Sequence, residues 1–193
     1  MIFVIDTTSA RSALALLRPD GKVVGEQIDA SGPGFDLPGR YRAMAGEQTL
    51  TKVAVAVGPG SFTGLRVGVS FGLGLAMGLE LPIIPLRSLE LQAARSTEPV
   101  VAVTEAGRGR VYFLAPGSEP GLAEPEDVPN EWPIAGWLRP GTEAALSAAG
   151  LTFKPDSELL SFGAAAALRL ESAFEVAYGS LRLEYMHSFS APV

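Results

Sequence analysis

The sequence predicts a mixed α/β fold in which helices cover a sheet. Strands and helical segments alternate along the first half of the chain. An Asp-Gly turn within residues 18–21 joins two apolar runs as a tight hairpin. A continuous apolar run at 52–58, typical of a strand buried on both faces, leads directly into a long helix. Hairpin strands followed by alternating helices and strands indicate a mixed sheet with helices packed on it.

The individual elements follow from periodicity and turn residues. In the first half, strands are predicted at 2–6, 12–17, 22–28, 52–58 and 81–86, with helices at 40–46, 61–79 and 88–96. In the second half, strands are predicted at 100–106 and 110–116, an extended loop at 116–133, and helices at 143–151 and 157–174. The tail from residue 181 fits no single pattern.

Composition excludes several classes of function. The chain has 193 residues, no cysteine and a net charge of −6. Disulfides, thiolate metal sites and cysteine nucleophiles are therefore excluded, and an intracellular setting is favoured. An acidic chain does not attract a phosphate backbone by its overall field. The most apolar run, 67–79, is shorter than the about 20 residues of a membrane span, so we expect a soluble, cytoplasmic protein with no membrane contact.

The loop after the first strand is one candidate site. Asp6 ends the strand and Thr7 and Thr8 follow it. A carboxylate at a strand end can hold a hydrated magnesium ion, and hydroxyls with backbone N–H groups can cradle a phosphate. The same residues also suit simple capping of a turn, which is at least as good an account of this element alone.

The GPGSFTG segment is the second candidate site. It joins the buried strand to the long helix, where Gly58 and Gly60 permit a left-handed backbone and Ser61 can cap the helix. A helix N-terminus also attracts anions. No lysine follows, so the segment is not a P-loop, and the residues alone favour a capping turn.

The helix predicted at 61–79 is apolar on every side. Between Arg66 and Glu80 it carries no charge, and Gly64, Gly68, Gly72 and Ala76 fall at every fourth position. A helix without a polar face is buried all round, and one sheet covers only one side. Either an internal helix or a partner protein supplies the remaining cover, and the glycines let it approach closely.

We favour a partner protein, because the preceding helix, predicted at 40–46, is too short to cover this one. Gly68 and Gly72 are expected at a helix–helix contact between subunits. The predicted contact residues are Leu65, Gly68, Val69, Gly72, Leu73, Ala76 and Met77.

Three segments carry a family resemblance: FVIDTTSARSALAL, AVAVGPGSFTGLRVGVSFGLGLAMGLELPIIPLRSLE and VVAVTEAGRGRVYF. They resemble the TsaB family, the dimerisation subunits of the bacterial machinery that makes tRNA threonylcarbamoyladenosine. The run GPGSFTGLRVG carries most of the specificity. The resemblance is specific over residues 1–29 and 52–114 and loose elsewhere.

The resemblance implies a fold. It is the fold of actin, sugar kinases and heat-shock ATPases, with two ribonuclease-H-like lobes of which the second is reduced. We place the first lobe at 1–97 and the second at 98–193, with the tail returning to the first lobe. The family normally has a long helix between the third and fourth strands, and here that segment shrinks to 36–48.

The resemblance also implies a role. Family members are regarded as non-catalytic scaffolds for the transferase subunit TsaD, which a TsaE-type ATPase joins. This chain would then need no cofactor of its own, and ATP would be used by the complex. It would reach tRNA only through the complex. It could also form a homodimer. The vestigial phosphate- or nucleotide-binding residues would be Asp6, Thr7, Thr8, Gly58, Gly60 and Ser61.

An active small-molecule kinase or ATPase of the same fold is the alternative. It would need Asp6 for magnesium and a second phosphate loop, where this chain has Glu105, Arg108 and Arg110. Arginines bind phosphate well, but no catalytic aspartate follows them. The transferase of the family holds its metal with a histidine pair, whereas this chain has only His187, so no metal site is expected. The scaffold role is therefore favoured.

Overall fold

The structure is a computed structural model that describes residues 1–32 and 34–184, and it contains two sheets. The first half of the chain forms β1 (Ile2–Asp6), β2 (Arg11–Leu17), β3 (Val23–Ala30), α1 (Leu37–Ala45), β4 (Lys52–Ala56), α2 (Phe62–Gly78), β5 (Ile83–Leu86) and α3 (Ser88–Ala93). The second half forms β6 (Val101–Gly107), β7 (Arg110–Leu114), β8 (Gly121–Ala123), β9 (Ile134–Ala135), α4 (Pro140–Ala148) and α5 (Phe162–Leu170).

The first sheet has the predicted mixed topology, in the order β3-β2-β1-β4-β5. β1 pairs antiparallel with β2 and parallel with β4, and β5 is parallel to β4. The β2–β3 turn closes through the bond from Arg18 N–H to the Lys22 carbonyl, 2.9 Å long. Gly21 adopts a φ of 83°, which explains why the Asp-Gly pair marks this turn.

β4 is buried on both faces, as its continuous apolar run predicts. Ala54 and Ala56 pack in one core cluster with Phe162 of α5. Val53 and Val55 pack in the opposite cluster, on the side where α2 lies against β4. A strand covered by helices on both faces needs no polar side chain, which accounts for the run.

The second sheet has the order β8-β7-β6-β9. β6 and β7 form the predicted hairpin. The prediction of little regular structure at 116–133 is wrong in part, because β8 pairs antiparallel with β7 and a 3₁₀ turn follows at Pro125–Asp127. A strand of three residues is too short to show a period of two, so sequence patterning gave no sign of it.

The C-terminal part of the chain returns to the first sheet. α5 packs on β2 and β3, and Val176 bridges to Ile83. Beyond it, the Tyr178 hydroxyl donates to the Leu81 carbonyl at 2.8 Å, and Glu184 N–H donates to the Val57 carbonyl at 2.8 Å. The lobe boundary between residues 97 and 98 stays a prediction. Within residues 1–32 and 34–184, no helix is long and apolar enough to cross a membrane.

Candidate functional site

Asp6, at the end of β1, has a fully buried side chain. Its Oδ1 accepts bonds from the backbone N–H of Thr8 at 2.8 Å and from the Thr8 hydroxyl at 2.7 Å. Its Oδ2 is buried and finds no hydrogen-bond partner in the described part of the chain. Burial raises the pKa of Asp6, and the bonds from Thr8 lower it by less. The loop thus holds a carboxyl inside a turn, where the environment favours the neutral form.

The GPGS loop at 58–61 packs directly on the loop after β1. Ser61 N–H donates to the Thr8 carbonyl at 2.7 Å, and Thr7 Oγ1 donates to the Gly64 carbonyl at 2.6 Å. Ser61 also caps α2, because its Oγ accepts from Gly64 N–H at 3.3 Å. The structure therefore brings the predicted phosphate-binding residues together, but several of the groups that would bind an anion bond to each other instead.

The two loop glycines have different roles, and the expectation for Gly60 is wrong in its reason. Gly58 has a left-handed backbone, with a φ of 110°, whereas Gly60 is not among the residues with positive φ. Gly60 is required by space, since a Cβ there would lie 2.4 Å from the Thr8 carbonyl oxygen. Glycine is required at position 60 because the two loops approach closely, and not because the backbone there has a positive φ.

A cavity of about 540 Å³ opens beside these loops. Six of the described residues that line it carry a hydroxyl group, and Arg139 is the one cationic residue among them. The hydroxyl-bearing residues are Thr7, Ser9, Ser12, Ser31, Ser61 and Thr63. Several of these hydroxyls are already paired, for example Ser12 with Ser31 at 2.7 Å. Phe35 and Val67 also line the cavity, which carries no concentrated charge.

The carboxylate of the second-lobe loop is engaged within the chain. Glu105 accepts from Arg139 N–H at 2.8 Å and from the Thr142 hydroxyl at 2.9 Å, at the start of α4. This carboxylate therefore satisfies the N-terminus of a helix in its own lobe. Arg108 lies in the β6–β7 turn with a φ of 56°. Within the described residues, neither Arg108 nor Arg110 forms an ion pair.

The glycine stripe of α2 faces the sheet, so the predicted partner contact is wrong at most of its residues. Leu65, Gly68, Val69, Gly72 and Ala76 are buried within the chain itself. A Cβ on Gly68 would lie 2.3 Å from Thr7 Oγ1, and one on Gly72 would lie 2.2 Å from Val55 Cγ1. The small residues let α2 approach the large side chains of β1 and β4. Of the predicted contacts, only Leu73 and Met77 remain partly or fully exposed.

Among residues 1–32 and 34–184, nothing covers the opposite side of α2. We call its residues Val67, Ser70, Gly74 and Met77 the outer face. Val67 and Met77 are 47% and 54% exposed, and a Cβ on Gly74 would meet open space. α1 covers only the flank, where Tyr41 packs edge-on against Phe71 with ring centroids 5.9 Å apart. The expectation of an apolar helix surface without internal cover holds, but on a different stripe.

One sequence signal could have located the outer face. Ser70 is the only polar residue between Val67 and Leu79, and a polar residue in an apolar helix marks its solvent side. His187 lies outside the described residues. The described residues contain no group of three or more acidic or histidine side chains that could hold a metal ion.

The fold and the paired loops define a class: a two-lobed α/β protein of the actin-like type, with ribonuclease-H-like sheets. The family model for TsaD, the tRNA N6-adenosine threonylcarbamoyltransferase, matches residues 41–119. The chain is 33% identical over 147 residues to the tRNA threonylcarbamoyladenosine biosynthesis protein TsaB of Bacillus subtilis, and 33% identical over 122 residues to that of Haemophilus influenzae. The chain thus resembles the TsaB family, and it spans less than two thirds of the length of these two relatives.

The extent of these similarities differs between sequence and structure. The sequence matches span 71% of this chain and 64% of the Bacillus subtilis protein, and 58% of this chain and 52% of the Haemophilus influenzae protein. The solved structure of YeaZ from Pseudomonas aeruginosa superimposes with a TM-score of 0.73 at 21% identity, covering 96% of this chain and 99% of that one. The structural match extends the shared fold over nearly the whole chain.

Proposed function

We propose that this chain is a non-catalytic scaffold that supports a TsaD-type transferase in the threonylcarbamoyladenosine modification of tRNA. The similarity to proteins named for that biosynthesis carries the proposal. The outer face of α2 suggests how the support is given, because an apolar helix surface without internal cover is suited to a partner protein. tRNA would be reached only through the complex.

The burial and hydrogen bonding of the loop after β1 and of the GPGS loop support a role without catalysis. A magnesium-binding carboxylate must be ionised and accessible, whereas Asp6 is fully buried and its pKa is raised. The carboxylate of the second-lobe loop is also engaged, because Glu105 caps α4. We infer that Asp6, Thr7, Thr8, Gly58, Gly60 and Ser61 are inherited loop geometry, that the chain needs no cofactor, and that the complex uses the ATP.

The proposed complex has further members. A TsaE-type ATPase would join the scaffold and the transferase, as the family resemblance implies. The same outer face of α2 would allow a homodimer when the transferase is absent, because one apolar helix face can pack on its own copy across a two-fold axis. The transferase and a second copy of the chain would then compete for one surface.

Exchanging Val67 for lysine is expected to weaken capture of TsaD at least about tenfold, equivalent to ~1.4 kcal/mol. A charge placed on the outer face must be desolvated when a helix packs on it. The measurement is co-purification and titration with the TsaD of the same cell. The melting temperature should stay unchanged, because Val67 is 47% exposed.

Val24→Lys is the matched control, since it puts the same charge on a valine that is 49% exposed on β3, away from α2. It should bind TsaD like the wild type. Equal binding by Val67→Lys and wild type would show that the outer face is not the docking surface.

The purified chain without TsaD is expected to transfer no threonylcarbamoyl group to tRNA and to hydrolyse no ATP. The reason is the buried, hydrogen-bonded state of the loops around Asp6. The measurement is a transfer assay and an ATPase assay on the chain alone. Hydrolysis that Asp6→Asn abolishes would replace the scaffold proposal with the kinase alternative.

A further inference from the structure

A buried arginine joins the two halves of the chain. Arg95 follows α3 and is only 4% exposed. Its Nη2 lies 3.0 Å from Asp156 Oδ1, and its Nε donates to the Leu160 carbonyl at 3.4 Å. Its guanidinium carbon sits 4.4 Å from the ring centroid of Trp137. We call these four residues the Arg95 clamp.

The clamp connects segments that are distant in the chain. Arg95 belongs to the first half, whereas Trp137 follows β9, and Asp156 and Leu160 lie between α4 and α5. The backbone reinforces the connection, because Leu160 N–H donates back to the Arg95 carbonyl at 2.6 Å. α3 packs on β6 and β7 of the second sheet, whereas α5 packs on β2 and β3 of the first, so movement of one sheet against the other would disturb these contacts together.

Two further bonds cross between the halves nearby. Ala10 N–H, in the β1–β2 loop, donates to the Trp137 carbonyl at 3.2 Å. The hydroxyl of Thr104, on β6, donates to the Pro59 carbonyl at 3.1 Å in a buried position. Both loops of the candidate site are therefore tied to the second half of the chain.

Such a clamp resists opening through the several contacts that one guanidinium makes. A guanidinium taken out of water loses much of its hydration and depends on its partners. Arginine suits this role because its planar fork binds a carboxylate and a carbonyl while its face stacks on an aromatic ring. Opening the lobes would leave that charge without Asp156 and Trp137. By contrast, lobes joined by a small polar interface usually move against each other.

We propose that the Arg95 clamp locks the two lobes in one relative orientation, so that the chain acts as a rigid body and not as a hinge that closes on a ligand. The inference concerns the conformation of the chain alone and does not depend on the scaffold proposal. A rigid body would hold the outer face of α2 at a constant angle to the second lobe.

The absence of cysteine makes the test direct. Gln48→Cys and Ser147→Cys place one label on an exposed site after α1 and one on α4. Spin labels on this pair in the full chain report the distance between lobes by pulsed electron paramagnetic resonance. We expect one narrow distance distribution that magnesium-ATP does not change. Two distances, or a shift on adding magnesium-ATP, would overturn the proposal.

Arg95→Met in the same labelled chain should broaden the distribution. Arg11→Met is the matched control, because Arg11 bonds the same Asp156 at 3.0 Å but with its side chain 50% exposed, and it should leave the distribution narrow. If Arg95→Met does not fold, Asp156→Asn replaces it, since it keeps the side-chain volume and removes the charge. A narrow distribution in whichever of these two variants folds would overturn the proposal.

Discussion

Replacing Gly72 by leucine is expected to destabilise the folded chain by about 3 kcal/mol or more, because the new side chain has no space between α2 and the sheet. A Cβ at this position would already lie 2.2 Å from Val55 Cγ1 and 3.3 Å from Ile5 Cδ1. Both neighbours belong to buried strands, so α2 must move away. The measurement is thermal unfolding, in which the melting temperature should fall by roughly 6–12 °C for a chain of this size.

Gly74→Leu is the matched control, because it makes the same change two residues later on the outer face. A Cβ there meets nothing within 4 Å. Removing an exposed helix glycine should stabilise the chain by up to ~1 kcal/mol. If Gly72→Leu kept the melting temperature of the wild type and lost only its association, the glycine stripe would be an interface after all, as the sequence suggested.

The sequence misplaced the stripe because α2 carries little polar surface beyond its first turns. In most helices the charged side marks solvent, but here, after Arg66, every stripe is small or apolar except at Ser70. Which side faces inward is decided by the sheet. Ile5, Val53 and Val55 present large side chains, and only the glycine side of α2 fits against them. That complementarity depends on three-dimensional neighbours and cannot be seen in the periodicity of one helix.

The antiparallel arrangement of β1, β2 and β3 was predictable because each signal there is local. The turn at 18–21 sets the β2–β3 hairpin, and the apolar run at 52–58 requires cover on both faces. β8 and the clamp partners of Arg95 were not predictable. They depend on contacts between residues far apart in the chain, such as Arg95 with Asp156, and neither partner stands out in its own segment.

The family resemblance grouped the residues of the two loops, but it did not specify their hydrogen bonds. It placed Asp6, Thr8 and Ser61 in one set, and the structure brings these loops into contact. Whether their polar groups face a ligand or each other depends on how closely two loops approach. The bond from Ser61 N–H to the Thr8 carbonyl is 2.7 Å long, and it forms only because the two loops lie in contact. The spacing of residues within a motif does not specify such a contact.

Gly60→Val is expected to disrupt folding, with a loss of about 3 kcal/mol or more. A Cβ on Gly60 would lie 2.4 Å from the Thr8 carbonyl oxygen and 2.9 Å from Thr8 Cβ. The first of these atoms is backbone and cannot rotate away. Separating the two loops would also break the bond from Ser61 N–H to the Thr8 carbonyl. Chemical unfolding by denaturant, followed by circular dichroism, measures the loss.

The reason is steric crowding and not backbone strain, and a pair of variants separates the two. Gly60→Ala should be nearly as harmful as Gly60→Val, because the first added carbon already collides with Thr8. Gly141→Val, in the first turn of α4, adds the same side chain where a Cβ meets nothing within 4 Å, and it should leave stability nearly unchanged. A Gly60→Ala variant as stable as the wild type would mean that the loop after β1 and the GPGS loop do not touch as closely as the structure has them.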